Sequence, residues 1–242
     1  MTAGNHAVFK VLFCFALAVV TARAASQPTR PGEMTFDHPG GFCQSAFTLA
    51  LTASEKKTTI YFTTNGDDPQ PATASLYVRP IEIATTTIVR AAAFDARTNL
   101  AGTGTRTFLF VADVLKQTGA QFSKTWGTNQ GKPVPAYYAM TTTNEENAAA
   151  RQTVAAGLQA IATLSIIANP ADLFSSETGI YAHPLERGVG WERRVSLEMF
   201  EADGRLAFQC GGGLRIHGNT SRQPEESPKH SFRLDLDRKS VV

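Results

Sequence analysis

Residues 58–69, Thr-Thr-Ile-Tyr-Phe-Thr-Thr-Asn-Gly-Asp-Asp-Pro, decide the class of fold to expect. Their first seven side chains are mostly β-branched or aromatic, which pack well on a pleated surface, and predict a strand. Asn65-Gly66 suits a tight turn because both residues tolerate positive φ, and Pro69 cannot continue a ladder. Strand signals recur on either side. Residues 47–51 alternate large apolar with small side chains, and 76–83, 85–94 and 103–111 carry further strand patterns. Within 85–94, Ile88, Arg90 and Ala92 share one face, while Val89, Ala91 and Ala93 share the other. With no helical period between them, these strands predict a small antiparallel β-sandwich over 32–112.

Upstream, residues 11–20 form an unbroken apolar run containing Phe13, Phe15 and Leu17. Lys10 precedes it and Ala22-Arg23-Ala24 follows, so residues 1–24 read as a signal peptide and the protein is expected to be secreted. The run is shorter than the ~20 apolar residues of a spanning helix, so no membrane association is expected after cleavage. Cys14 lies inside the run rather than at its end, which argues against a lipid anchor. Residues 25–31 read as a polar linker. The chain has 242 residues, 43% hydrophobic and 18% charged, enough apolar mass for one or two cores. Removing Lys10 and Arg23 from 23 basic residues leaves 21, against 21 acidic ones. That balance gives no reason to expect nucleic acid as a partner. Cys43 and Cys210 permit one disulfide, but each sits in a strand-like apolar setting that favours two separate thiols. The five histidines are scattered and no Cys–His spacing fits zinc, so no metal ligand is identified.

Beyond residue 113 the pattern predicts a second β-rich unit, to 236, with one helix. Residues 144–163 read as that helix, capped by Asn144, with Glu145 and Glu146 at its positive end. Val154, Leu158 and Ile161 mark its buried stripe. A short strand over 164–168 ends at Asn169-Pro170, whose proline opens a turn over 171–174. Residues 194–202 alternate, with Val195, Leu197 and Met199 facing one way and Ser196, Glu198 and Phe200 the other. Asp203-Gly204 turns the chain into 206–210, and 214–217 and 231–236 complete the unit. The fold class expected for the whole chain is mainly β.

Two resemblances follow from motifs. Gly40-Gly41-Phe42, then Ile60-Tyr61-Phe62-Thr63-Thr64-Asn65-Gly66 with Asp68-Pro69, Leu76-Tyr77, and Ile88-Val89-Arg90-Ala91-Ala92-Ala93-Phe94 occur in order. Together they resemble the fibronectin-III-associated module, which is similar to the C-terminal domain of chitobiase and β-hexosaminidase. Downstream come Thr125-Trp126-Gly127, Asn169-Pro170-Ala171-Asp172-Leu173-Phe174, Gly190-Trp191-Glu192-Arg193, Gly213-Leu214-Arg215-Ile216-His217-Gly218-Asn219-Thr220-Ser221-Arg222 and Pro228-Lys229-His230-Ser231-Phe232-Arg233-Leu234. This series resembles the N-terminal region of secreted proteins of the CotH type, an atypical kinase family first associated with spore coats.

The second resemblance implies a parent that transfers phosphoryl groups from Mg-ATP to proteins. That chemistry needs cations for the phosphates and carboxylates for magnesium. Arg215, Arg222 and Lys229 are the candidate cations, and Ser221 lies in a turn whose backbone N–H groups could face an anion. An exposed strand pair with no ligand is the alternative for the same residues. In the family the acidic catalytic residues lie beyond the strand at 231–236. No catalytic residue is therefore identified, and the fragment itself is expected to need no cofactor. Tyr61 and Tyr77 are the candidates for a sugar platform in the first unit, where a spacer role is the alternative. Asp67 and Asp68 could hold calcium or simply form the turn. The expected reading is a non-catalytic accessory fragment whose partners are the rest of its own polypeptide and an extracellular protein or polysaccharide; a carbohydrate-binding module is the other. The last six residues, Asp237-Arg238-Lys239-Ser240-Val241-Val242, match the translation of a short-read sequencing adapter, GATCGGAAGAGCGTCGTG, and are expected to be adapter-derived.

Overall fold

A computed structural model describes residues 32, 34–118, 124–129, 132–136, 148–223, 226 and 230–236. The expected signal peptide and linker, Lys229, the start of the expected helix at 144–147 and the tail at 237–242 lie outside the described residues. The chain is mainly β, and its described residues fall into two compact units. One lies within Met1–Leu115, Thr141–Ser165 and Glu198–Phe208, the other within Lys116–Met140, Ile166–Leu197 and Gln209–Val242. Among the described residues no helix is long and apolar enough to cross a membrane.

The first unit begins with β1 (Met34–Phe36), β2 (Gly41–Phe42), β3 (Phe47–Leu49), β4 (Leu51–Ala53) and β5 (Thr59–Thr63). It continues with β6 (Ser75–Leu76), β7 (Ile81–Ile83), β8 (Thr87–Phe94) and β9 (Leu100–Leu109). A five-stranded sheet runs in the order β2-β9-β8-β5-β6, and β1-β4 and β3-β7 form two-stranded antiparallel sheets. The short pairing of β2 with β9 is parallel; β9-β8-β5-β6 is antiparallel throughout. Met34, Leu49, Ile83, Val89 and Phe108, each at most 2% exposed, lie at the centre of the core.

Two expected strands are broken, each for a local reason. Residues 47–51 divide at Ala50, because β3 pairs with β7 while β4 pairs with β1. Asp37 holds the switch point: its N–H donates to Ala50 O at 3.1 Å and its Oδ1 accepts from Ala50 N at 2.8 Å. Leu49 and Leu51 stay buried, so alternation survives the change of partner. Residues 76–83 divide around Arg79-Pro80, where proline removes a ladder donor and restricts its predecessor. The chain bends at Gly66, with φ +92°, while Asn65 forms an isolated parallel bridge with Ile88.

Past α1 (Val111–Val114) come β10 (Thr125–Asn129), β11 (Lys132–Pro135), α2 (Ala148–Gln159) and β12 (Thr163–Ile167). They are followed by α3 (Pro170–Phe174), β13 (Arg193–Phe200), β14 (Leu206–His217) and β15 (Ser231–Leu236), and a four-stranded sheet runs β12-β13-β14-β15. Helix α2 stops at Gln159, before the expected end. Gly157 weakens its last turn and β-branched Ile161 and Thr163 favour the strand that follows. Leu158 is buried as expected, whereas Ile161 lies past the helix and is 40% exposed. The turn expected at 171–174 is helical. Asn169 caps it by accepting from Ala171 N at 2.9 Å, and Pro170 occupies the first turn, where its missing N–H does no harm. The strands expected at 206–210 and 214–217 are one, running through Gly211-Gly212-Gly213.

Candidate functional site

A cleft of about 100 Å³ opens in the second unit. The loop between α3 and β13 forms one wall, and two arginines fasten that loop by its carbonyls. Arg193 donates from Nε and Nη2 to Thr178 O, and from Nη1 to Gly190 O at 3.0 Å. Arg222 donates through Nη1 to Pro184 O at 3.0 Å and Glu186 O at 2.8 Å. Its Nε reaches Gly218 O and its Nη2 reaches Ile216 O, so one buried guanidinium ties the loop to the end of β14. Carbonyl partners take four of its five N–H donors but bring no opposite charge. Burial, and then the neighbouring Arg187 and Arg215, hold its pKa below the usual arginine value.

The second wall is the pairing of β14 with β15, which places Arg215 directly opposite Arg233. Like charges at facing positions repel. Asp235, two residues along, offsets this by accepting from Arg215 Nη2 at 2.6 Å and Arg233 Nε at 2.9 Å. Those two cations hold its carboxyl below the usual carboxylate range. Glu192 adds a second carboxylate, with Oε2 3.1 Å from Arg215 Nε. It lies over β14 where position 213 has no side chain; a Cβ on Gly213 would collide with the Glu192 carboxyl. Position 218 also requires glycine, with φ +118° and Ser221 Oγ in the space of a Cβ.

The cleft unites two of the four phosphate candidates, Arg215 and Arg222, with Arg187, Arg233, His183 and Trp191. Ser221 lies in the adjoining 3₁₀ turn, Thr220–Arg222, where its carbonyl accepts from buried His230 Nδ1 at 3.3 Å. Lys229 is outside the described residues. Sequence reasoning gave no role to Arg187, Trp191 or Arg233. The facing of Arg215 and Arg233 was inferable once both strands were paired, but the loop position of Arg187 depends on the staples from Arg193 and Arg222.

In the first unit both candidate tyrosines make packing contacts. Tyr77 packs against the core, and its hydroxyl accepts from Leu51 N at 3.0 Å. Its ring meets Phe62 edge-on at 6.4 Å. Tyr61 is half-buried and meets Phe94 edge-on at 5.9 Å. In the turn, Asp68 forms an ion pair with Arg90, whose Nη1 donates to Gly66 O at 2.8 Å. Asp67 Oδ2 accepts from Asn65 Nδ2 at 2.6 Å. Among the described residues no three His, Cys, Asp or Glu side chains converge as a metal site would require. Neither Cys43 nor Cys210 is in a disulfide.

The first unit also contains a buried carboxyl that strand alternation placed but could not evaluate. Glu198 is fully buried, 3.6 Å from Arg106, and among the described residues neither of its oxygens has a partner in hydrogen-bond geometry. Burial drives its pKa up from 4.5; Thr107 and Arg106 draw it back, leaving it at about 7. Arg106 is separately held by its contact with Phe36, 5.1 Å from the ring centre, and by Thr105 O at 2.9 Å.

Residues 38–105, all within the first unit, match the family model of the chitobiase/beta-hexosaminidase C-terminal domain. No curated protein and no solved structure matches the chain.

Proposed function

We propose that the chain is a non-catalytic accessory region of a larger exported protein of the CotH type, in which the chitobiase-like module serves as a packing unit. The observation that carries this reading is the commitment of Glu192 and Asp235 to Arg215. Phosphoryl transfer requires carboxylates available to magnesium beside the cations that hold phosphate. Here the two carboxylates beside Arg215 neutralise an arginine instead. The cleft volume of about 100 Å³ also falls below the ~300 Å³ at which ligand pockets usually begin. Mg-ATP is then a requirement of the complete parent and not of this region. Export through a cleaved segment ending near Ala24 belongs to the same reading.

Incubation of the chain with labelled Mg-ATP and an acidic acceptor protein tests the proposal. No label should reach the acceptor or the chain; magnesium-dependent labelling would overturn it. A second reading, glycan binding by the first unit, is favoured by the family match at 38–105. Against it stands the packing of Tyr77, whose ring and hydroxyl both serve the fold. Retention on neutral polysaccharide that is lost in Tyr61→Ala would decide for this second reading.

A further inference from the structure

We propose that the arginine-lined cleft of the second unit is an oxyanion site, taking one carboxylate, sulfate or phosphate group, either free or carried on an acidic sugar. Four guanidinium groups, Arg187, Arg215, Arg222 and Arg233, line one space, and among the described residues Glu186 is the one lining carboxylate. Asp235 offsets both Arg215 and Arg233, and Glu192 adds a second carboxylate to Arg215. Nothing among the described residues offsets the other two in the same way: no carboxylate lies within ion-pair distance of Arg187 or Arg222.

Arg222 is the buried member of that pair, 8% exposed, and its partners among the described residues are carbonyl dipoles. Its charge crowds those of Arg187 and Arg215, and an anion in the cleft would relieve that repulsion. Arg187 is the exposed member and the group placed to make contact. One Nη2 proton goes to Asn219 Oδ1 at 3.0 Å, and a guanidinium has five N–H donors. The planar fork suits two parallel bonds to an oxyanion. A cleft of about 100 Å³ admits one such group, while the remainder of a larger ligand would stay outside. The loop bearing Arg187 is already fastened by Arg193 and Arg222, so little ordering is required on binding. The inference does not depend on whether the chain is an accessory region.

The experiment is calorimetric titration of the full chain at low ionic strength with sodium sulfate, sodium phosphate and a galacturonate oligomer. Saturable binding of at least one is expected. Arg187→Ala should weaken it about tenfold, the ordinary loss for one charge-assisted hydrogen bond. Arg187→Gln keeps a donor for Asn219 and should weaken binding similarly, which separates loss of charge from loss of the loop contact. Arg205→Ala, removing an exposed arginine of the first unit, should bind as the parent chain does. Tighter binding of the oligomer than of either inorganic anion would identify an acidic sugar as the source; the reverse order would identify a free anion. Absence of saturable binding for all three, or affinity unchanged in both Arg187 variants, would overturn the proposal.

Discussion

Replacing Glu198 with glutamine tests whether burial in the first unit keeps a carboxyl protonated well above its ordinary range. Its pKa of about 7 lies above the ordinary 4.5, with burial as the largest cause. Between those two values the folded chain retains a proton that the unfolded chain has released, so stability falls as pH rises. At ~1.4 kcal/mol per pH unit, the fall across this window is about 3 kcal/mol. Below pH 4.5 both states are protonated and the penalty vanishes. Glu198→Gln preserves shape and removes the proton equilibrium. Denaturant unfolding at pH 4.5 and pH 8 should give nearly equal stabilities for the two chains at the lower pH. At pH 8 the variant should be more stable, by up to about 3 kcal/mol. The opposite sign is equally specific. If Glu198 functions as the buried anion paired with Arg106, removing it strands a cation and should destabilise by ~3–5 kcal/mol. A variant that loses stability at pH 8, or that keeps the parent's slope between pH 4.5 and 7, would refute the reasoning.

Gly213→Ala should displace the flexible Glu192 side chain from Arg215 and cost the second unit at most about 1 kcal/mol, read as a small drop in the unfolding midpoint. Tyr77→Phe leaves Leu51 N without its acceptor, and a loss of ~1 kcal/mol or somewhat more is expected in denaturant melts; an unchanged midpoint would show that the hydroxyl is dispensable. Chain secreted by an exporting host should begin, on N-terminal sequencing, at Ala25 or within about two residues of it. Recovery of Met1 on exported material would refute cleavage.

The predominance of strands was legible because β-branched runs, turn residues and period-two alternation agreed at 59–63, 87–94 and 193–200. What alternation could not show was a change of partner. Residues 47–51 keep one pattern while Asp37 divides them between two sheets. Gly211-Gly212-Gly213 reads as a break, yet β14 runs through it, with Gly212 and Gly213 paired to Leu236 and Asp235 of β15. Glu198 was assigned a face by alternation, but the burial of that face comes from tertiary packing. Arg215 and Arg222 were visible as cations within a motif. Their separate roles, one neutralised by two carboxylates and one holding the loop carbonyls of Pro184 and Glu186, arise from partners 20 to 38 residues away in sequence. The cleft itself was not legible, because its loop wall is ordered by long-range arginine–carbonyl bonds and not by any local pattern.

The central claim, that this is an accessory region without a nucleotide site of its own, is tested most directly by titrating the chain with Mg-ATP in a calorimeter. No saturable, magnesium-dependent heat should appear in the micromolar range. Micromolar binding that requires magnesium would contradict the account, since it would show that Glu192, Asp235 or other carboxylates of this chain release their arginines to hold the metal.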